Sequence, residues 1–205
     1  MTPLLTALLC SNPSEGVLDM DGIRDLQPFF DMAKETGIWI IARPGPFANA
    51  ETSGGGIPGW VIRKGGDMRT NSTDYFDSWQ LYWDAITQLV ANNQISQGGP
   101  VVLFQLENEF DRGVFYDPHM EELKESARRN GITVPLTHNN PRYVRCLDGY
   151  ATVPRPQLTD IASSPCRGRG HWSAGPGAVD IAAVDAYPVR LIRSTRPLPL
   201  ALNRC

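Results

Sequence analysis

The 205-residue sequence has little of what marks nucleic-acid, membrane or metal proteins. Its 19 Lys and Arg are outnumbered by 22 Asp and Glu, so a formal net charge of −3 gives no electrostatic reason to expect nucleic acid. No apolar run approaches membrane-spanning length. The three histidines, His119, His138 and His171, lack the spacing of a helical His-Glu-x-x-His site or a Cys/His finger. We therefore predict no nucleic-acid partner, no membrane partner and no metal, and interpret the histidines as solvated or locally bonded.

Cysteines and leader signals are also sparse. Four cysteines without tight spacing leave disulfide pairing open in a chain of this length. The apolar stretch at residues 4–9 has no basic leader and is too short for a full apolar core, so we expect no signal peptide. The triplet Asn71-Ser72-Thr73 is an acceptor sequence for N-glycosylation, which is typical of secreted proteins.

Apolar segments with the pattern of strands alternate with segments of helical periodicity. Residues 101–104 form a continuous apolar run that follows Pro100, as in a parallel strand buried on both faces. The whole strand is predicted to span residues 101–106. Further strands are predicted at residues 37–42, 132–136 and 178–184. Helices are predicted at residues 25–37, 74–93 and 118–130, the first and last closed by glycine. The long helix carries aromatic side chains that we interpret as packing. This alternation predicts an α/β fold.

Polar residues follow the strand at 101–106 with the period of a strand. If the backbone stays regular, Gln105, Glu107 and Glu109 point to one side. Two carboxylates in a poorly solvated site repel each other, so we expect the pKa of at least one to rise, which suits a general acid. A solvated acidic loop or a structural ionic network is the alternative that the two carboxylates alone leave open.

Two further features need an interpretation. Residues 54–59 match the pattern G-x-G-x-x-G, but Pro58 removes a backbone donor and Asn49 to Glu51 separate the strand from the glycines, which argues against a phosphate loop. Arg43 precedes Pro44 and is therefore biased towards extended backbone. It could hold the neighbourhood of Glu109 electrostatically or anchor the interior of the fold, and we favour the structural role.

Several motifs in order resemble glycoside hydrolase family 35, the β-galactosidases, most closely the fungal type. They are GIWIIARPGPFANAE at 37–51, TSGGGIPGW at 52–60, RTN at 69–71 and QLENE at 105–109. The resemblance covers about residues 5–112 well, weakens at 131–140 and returns at 177–188. It implies a partial (β/α)8 TIM barrel, with the four predicted strands as about the third to sixth and the first and last strands lacking, because a complete barrel takes about 250 residues. We expect the barrel segment to span 1–189 and a divergent basic tail to span 190–205.

The resemblance also implies a site. Glu109 takes the acid/base role, Asn108 contacts sugar hydroxyls, and Tyr187 corresponds to a tyrosine of the sugar pocket. The galactose-binding residues after the preceding strand are Asn49, Ala50 and Glu51. Asn and Glu suit hydroxyl recognition because both offer strong acceptors and Asn adds two donors. No cofactor is required, and the expected partner is a β-galactoside oligo- or polysaccharide.

The implied activity is hydrolysis of terminal non-reducing β-galactosides with retention, in a parent protein that is extracellular. Retaining glycosidases place two carboxyl groups about 5–5.5 Å apart, one as acid/base and one as nucleophile. No residue matches the family's nucleophilic Glu, so we expect this chain by itself to be inactive. Two alternatives stay open: a catalytically silent galactoside-binding module that uses Asn49, Glu51 and Asn108, or another barrel glycosidase of the same clan.

Overall fold

The computed structural model describes residues 2–4, 11–49, 52–64, 66–110, 118–139 and 179–183. Several predictions fall outside these ranges. They concern Ala50, Glu51 and Tyr187, the four cysteines, His171, and the proposed tail at 190–205. Within the ranges, no helix is both long enough and apolar enough to cross a bilayer.

Five parallel strands form one sheet whose spatial order is the order of the chain. They are β1 (Thr2–Leu4), β2 (Ile40–Gly45), β3 (Val101–Leu106), β4 (Leu136–Asn139) and β5 (Ile181–Ala183). Each strand pairs in parallel with the next. Parallel neighbours need a crossover connection, which the intervening helices supply. The predicted α/β class with a parallel sheet is therefore confirmed.

The described helices are α1 (Gln27–Thr36), α2 (Gly59–Lys64), α3 (Thr73–Asn92) and α4 (Pro118–Arg129). Three of them, α1, α3 and α4, confirm the helices predicted from periodicity. Short 3-10 turns lie at Gly22–Arg24, Ser53–Gly56 and Ile95–Gln97. Gly37 follows α1 in the left-handed conformation with φ 72°, which satisfies the last carbonyls of the helix.

The core lies between the sheet and the inner faces of α3 and α4. The rings of Trp79 and Trp83 are fully buried, and Trp83 meets Phe104 of β3 edge to face, with ring centroids 5.7 Å apart. Fully burying a large apolar side chain contributes about 1.5–3 kcal/mol. The interpretation of the aromatic side chains of α3 as packing is therefore confirmed for these rings. Leu81, which belongs to the same apolar pattern, is instead 40% exposed.

The strand predicted at 37–42 begins later than expected, at Ile40. The chain first has to leave α1, and it does so through left-handed Gly37 and a hydrogen bond from the Ile38 N–H to the carbonyl of Ala33 (2.8 Å). The strand then continues to Gly45, which pairs with Leu106 across an irregular register.

The strand predicted at 132–136 is displaced, because only Leu136 of that segment belongs to β4. Side chains satisfy the preceding backbone in place of a neighbouring strand. Arg128 donates to the carbonyls of Ile132 and Val134 (2.8 and 2.9 Å). The amide oxygen of Gln94 accepts from the N–H groups of Thr133 and Val134. Ile132 and Val134 are therefore buried ahead of the strand, whereas Thr133 and Pro135 between and after them are exposed.

The strand β1 was not predicted from the sequence. Residues Thr2–Leu4 pair in parallel with Ile40–Ala42, so the sheet has five strands where four were predicted. A strand of three residues is too short to show a period in the sequence. At the other edge, β5 lies inside the predicted range 178–184.

Candidate functional site at the carboxyl ends of the strands

Polar residues gather where β2, β3 and β4 end. In parallel α/β proteins this edge of the sheet is where ligands bind. The N–H of Glu107, just after β3, donates to the carbonyl of Gly45 at the end of β2 (3.1 Å). The amide oxygen of Asn139, at the end of β4, accepts from the N–H of Glu109 (3.1 Å). The tripeptide Glu107-Asn108-Glu109 is therefore fixed from the strand on each side.

The backbone of this tripeptide is left-handed at two positions. Glu107 has φ 58° and Glu109 has φ 46°, a conformation that non-glycine residues rarely adopt. Each such residue costs on the order of 1–3 kcal/mol, which the surrounding contacts have to offset. The alternation of the strand therefore ends at Leu106. The regular backbone under which Gln105, Glu107 and Glu109 would share one side is therefore not present here.

Glu107 is a buried ion-pair residue. Its side chain is 0% exposed, and its carboxylate lies 2.8 Å from Nη2 of Arg69 and 3.1 Å from Nε2 of His119. It also accepts the N–H of Asn108 (3.0 Å). Burial by itself raises the pKa of Glu107, but the hydrogen bond from His119 and the charge of Arg69 outweigh it, so the pKa lies below the usual value.

Glu107 is therefore not the carboxyl group that meets the expectation of a raised pKa. The alternative, a structural ionic network, describes this residue, since both its oxygens are engaged. His119 and Glu107 come from α4 and from the end of β3, and His119 also contacts the rings of Tyr75 and Phe110. The interpretation of His119 as a locally bonded histidine is confirmed.

Arg69 joins the buried carboxylate to the rest of the site. Its Nη2 also donates to the carbonyl of Asn108 (2.7 Å). Its guanidinium lies 3.9 Å from the ring centroid of Phe47 and 5.3 Å from that of Phe110, which are cation–π distances. Arg69 is itself left-handed, with φ 59°. Sequence reasoning quoted it in a motif and gave it no role.

Asn108 is nearly buried and oriented by a second arginine. Its side-chain oxygen accepts a hydrogen bond from Arg43 of β2. Arg43 therefore contacts the residue beside Glu109, and the anchoring role that the sequence analysis favoured for it stays a prediction. Within the described part of the chain, the amide nitrogen Nδ2 of Asn108 has no hydrogen-bond partner. The orientation imposed by Arg43 keeps its two donors available to a ligand.

The last two residues of β4, His138 and Asn139, are site residues that the sequence analysis did not select. Nδ1 of His138 lies 3.0 Å from the carbonyl of Leu106, and Nε2 lies 3.1 Å from that of Phe110. Burial lowers the pKa of His138, and the hydrogen bonds to the two carbonyls oppose that shift. A strand prediction at 136–139 would have identified both residues, because they would then end a strand at the edge of the sheet where ligands bind.

The loop after β2 carries the remaining predicted residue that is described. Asn49 is left-handed with φ 59°, and its N–H donates to the carbonyl of Gly55 (3.1 Å). A Cβ at Gly55 would overlap the ring of Phe47. Gly55 thus allows the ring of Phe47 to pack closely against this loop, which agrees with rejecting a phosphate loop. No cluster of three metal-ligating side chains occurs among the residues that the structure describes.

The model of glycosyl hydrolases family 35 matches residues 9–174, which is most of the chain. The chain belongs to glycosyl hydrolases family 35. The resemblance inferred from the motifs is therefore confirmed.

Curated members of family 35 give the same result. The chain is 39% identical over 174 residues to a protein named beta-galactosidase from Aspergillus niger, covering 82% of the chain and 15% of that protein. It is 39% identical over 189 residues to beta-galactosidase A of a Penicillium species, covering 89% and 16%. It is 34% identical over 189 residues to probable beta-galactosidase B of Penicillium rubens, covering 86% and 17%. The chain thus spans about one sixth of the length of these relatives.

Proposed function

We propose that this chain forms the part of a β-galactosidase catalytic barrel that carries the general acid/base, Glu109. The observation that supports this most is the fixed left-handed turn after β3, which sets Glu109 beside an oriented Asn108 at the ligand-binding edge of a parallel sheet. The family's glycosidase chemistry needs one carboxyl group in this position. The substrate is a terminal non-reducing β-galactoside within an oligo- or polysaccharide, and the product retains the β configuration.

The reaction follows the scheme of two carboxyl groups. Glu109 protonates the glycosidic oxygen while a nucleophilic carboxylate attacks the anomeric carbon, and Glu109 then removes a proton from the water that hydrolyses the intermediate. Glu107 is unsuited to be the nucleophile because Arg69, His119 and the N–H of Asn108 engage its oxygens. Another carboxylate has to fill that role. We therefore propose that the 205 residues alone do not catalyse turnover.

The sugar is held by residues of two loops. Asn108 offers the two N–H donors of Nδ2, and Asn49 lies on the neighbouring loop. The other proposed contacts, Ala50, Glu51 and Tyr187, rest on the family resemblance alone. No cofactor takes part in this scheme.

The same proposal includes the barrel architecture and the location of the parent protein. Five parallel strands in chain order, with helices between successive strands as far as residue 139, follow the repeating pattern of a (β/α)8 barrel, and we infer that they are consecutive barrel strands. We also infer an extracellular parent protein, since the glycosylation triplet at Asn71 lies in an exposed turn. The division into a barrel segment at 1–189 and a tail at 190–205 stays a prediction.

The proposal is tested in a chimera in which residues 9–174 replace the aligned segment of the Aspergillus niger protein. Glu109→Gln should lower kcat/KM for lactose by about 10²–10⁴-fold, and should affect an aryl galactoside with a good leaving group less, since that bond needs less protonation. Glu125→Gln is the matched control, because its side chain is 60% exposed and remote from the turn in sequence.

The outcomes separate the alternatives. Equal and small losses on both substrates would remove Glu109 from the acid/base role. Galactose binding without turnover in a folded chimera would favour the silent binding module. Turnover of a β-glucoside or β-mannoside in preference to the galactoside would favour another glycosidase of the clan.

A further inference from the structure

We infer that Asn139 is the positioning residue that fixes the backbone of Glu109, and that His138 supports the same turn. This inference rests on the proposed acid/base function of Glu109. The two residues at the end of β4 would then act in the reaction by positioning Glu109, without touching the reacting atoms.

The contacts of Asn139 converge on one atom. Its Oδ1 accepts the N–H of Glu109 (3.1 Å) and Nε2 of Gln105 (2.7 Å). Gln105 in turn donates to the carbonyl of Glu107 (2.9 Å). Both left-handed residues of the turn are thus tied, directly or through Gln105, to a single buried oxygen. Because an isolated left-handed Glu is unfavourable, the conformation depends on such contacts.

His138 secures the residues that flank the turn. Its ring lies between the carbonyls of Leu106 and Phe110, at 3.0 and 3.1 Å, so it spans the segment that contains Glu109. The ring is fully buried, which restricts its rotation. Two adjacent residues of one strand therefore hold a turn that follows the neighbouring strand. Rigid strands position site residues more accurately than loops do.

The inference is tested first in the full chain labelled with nitrogen-15. Asn139→Leu removes the acceptor at similar size, whereas Asn139→Asp keeps an oxygen at that place. Hydrogen exchange of the Glu109 amide should accelerate by about tenfold or more in Asn139→Leu and change little in Asn139→Asp. The Phe104 amide, which donates to the carbonyl of Pro135, serves as the internal control for strand pairing.

An equal acceleration at Phe104 and Glu109 would overturn the inference, because Asn139 would then stabilise the sheet in general. Unchanged exchange at Glu109 would overturn it as well. If the leucine side chain prevents folding, Asn139→Ala removes the same acceptor with a smaller side chain, and the same two amides decide the result.

A second measurement in the chimera links the position to the reaction. Asn139→Leu should lower kcat for lactose by about tenfold or more with little change in KM, since misplacing a catalytic group costs rate more than binding. Asn139→Asp should recover most of that loss. If the exchange result holds but kcat stays unchanged in both Asn139→Leu and Glu109→Gln, the proposed role of Glu109 fails and the positioning of the turn stands. If kcat falls in Glu109→Gln alone, the positioning role fails.

Discussion

Replacing the buried carboxylate of Glu107 by an amide should destabilise the fold strongly. Glu107→Gln keeps the shape of the side chain but leaves the charge of Arg69 without its partner and weakens the bonds from His119 and the N–H of Asn108. Removing one member of a buried pair typically costs 3–5 kcal/mol, and Arg69 is 24% exposed, so we expect a loss of about 3 kcal/mol in the free energy of unfolding. For a chain of this length that lowers Tm by roughly 6–12 °C.

The pH dependence of the same difference follows from the lowered pKa of Glu107. A carboxyl whose pKa is lower in the folded state contributes its full stabilisation above the pKa of the unfolded chain, about 4.3. That contribution is lost as the pH falls through the lower folded pKa. The free-energy difference between wild type and Glu107→Gln should therefore be constant near neutral pH and shrink below about pH 4.

Urea unfolding followed by tryptophan fluorescence measures this difference, since Trp79 and Trp83 lie in the core beside the network. Glu125→Gln is again the control, because its pair with Arg129 is 3.7 Å long with both side chains more than half exposed, and such pairs contribute little. A loss below about 0.5 kcal/mol in Glu107→Gln would refute the reasoning and would mean that the pair only offsets its own desolvation.

Three further predictions concern the loops around the site. Asn49→Ala should raise the inhibition constant of galactose in the chimera by about tenfold, because a hydroxyl loses its partner, and an unchanged constant would place the sugar elsewhere. Gly55→Ala should lower the free energy of unfolding in urea by at least about 2 kcal/mol, and by more than Gly98→Ala does. Gly98 has a similar left-handed φ, but a Cβ there would meet nothing within 4 Å. Equal losses would show that backbone strain alone matters. Secretion from yeast behind a heterologous leader should add a glycan at Asn71 that endoglycosidase removes. Thr73→Ala should prevent this modification, and Thr73→Ser should preserve it. An unmodified secreted chain would contradict the extracellular proposal.

The sequence by itself determined the family, the α/β class and the positions of three helices. Apolar periodicity in α1, α3 and α4 depends on residues three or four apart, and the strand at 101–106 is a continuous apolar run, so both signals are local. Gly37, which ends α1, could be predicted for the same reason, because a helix-ending glycine is a local signal. The motif around Glu109 was visible as a string of residues, and so was the family to which it belongs.

Only the tertiary structure decided what Glu107, the first carboxylate of that motif, does. The burial of Glu107 depends on Arg69 and His119, which are 38 and 12 residues away in the chain, and no local period reports such contacts. The left-handed turn broke the alternation on which the sequence argument relied. In the same way, Arg128 and Gln94 satisfy the backbone of 132–135 and so shift β4 to the place where His138 and Asn139 reach the turn. Long-range hydrogen bonds fix the site because they hold a backbone conformation that its own residues do not prefer.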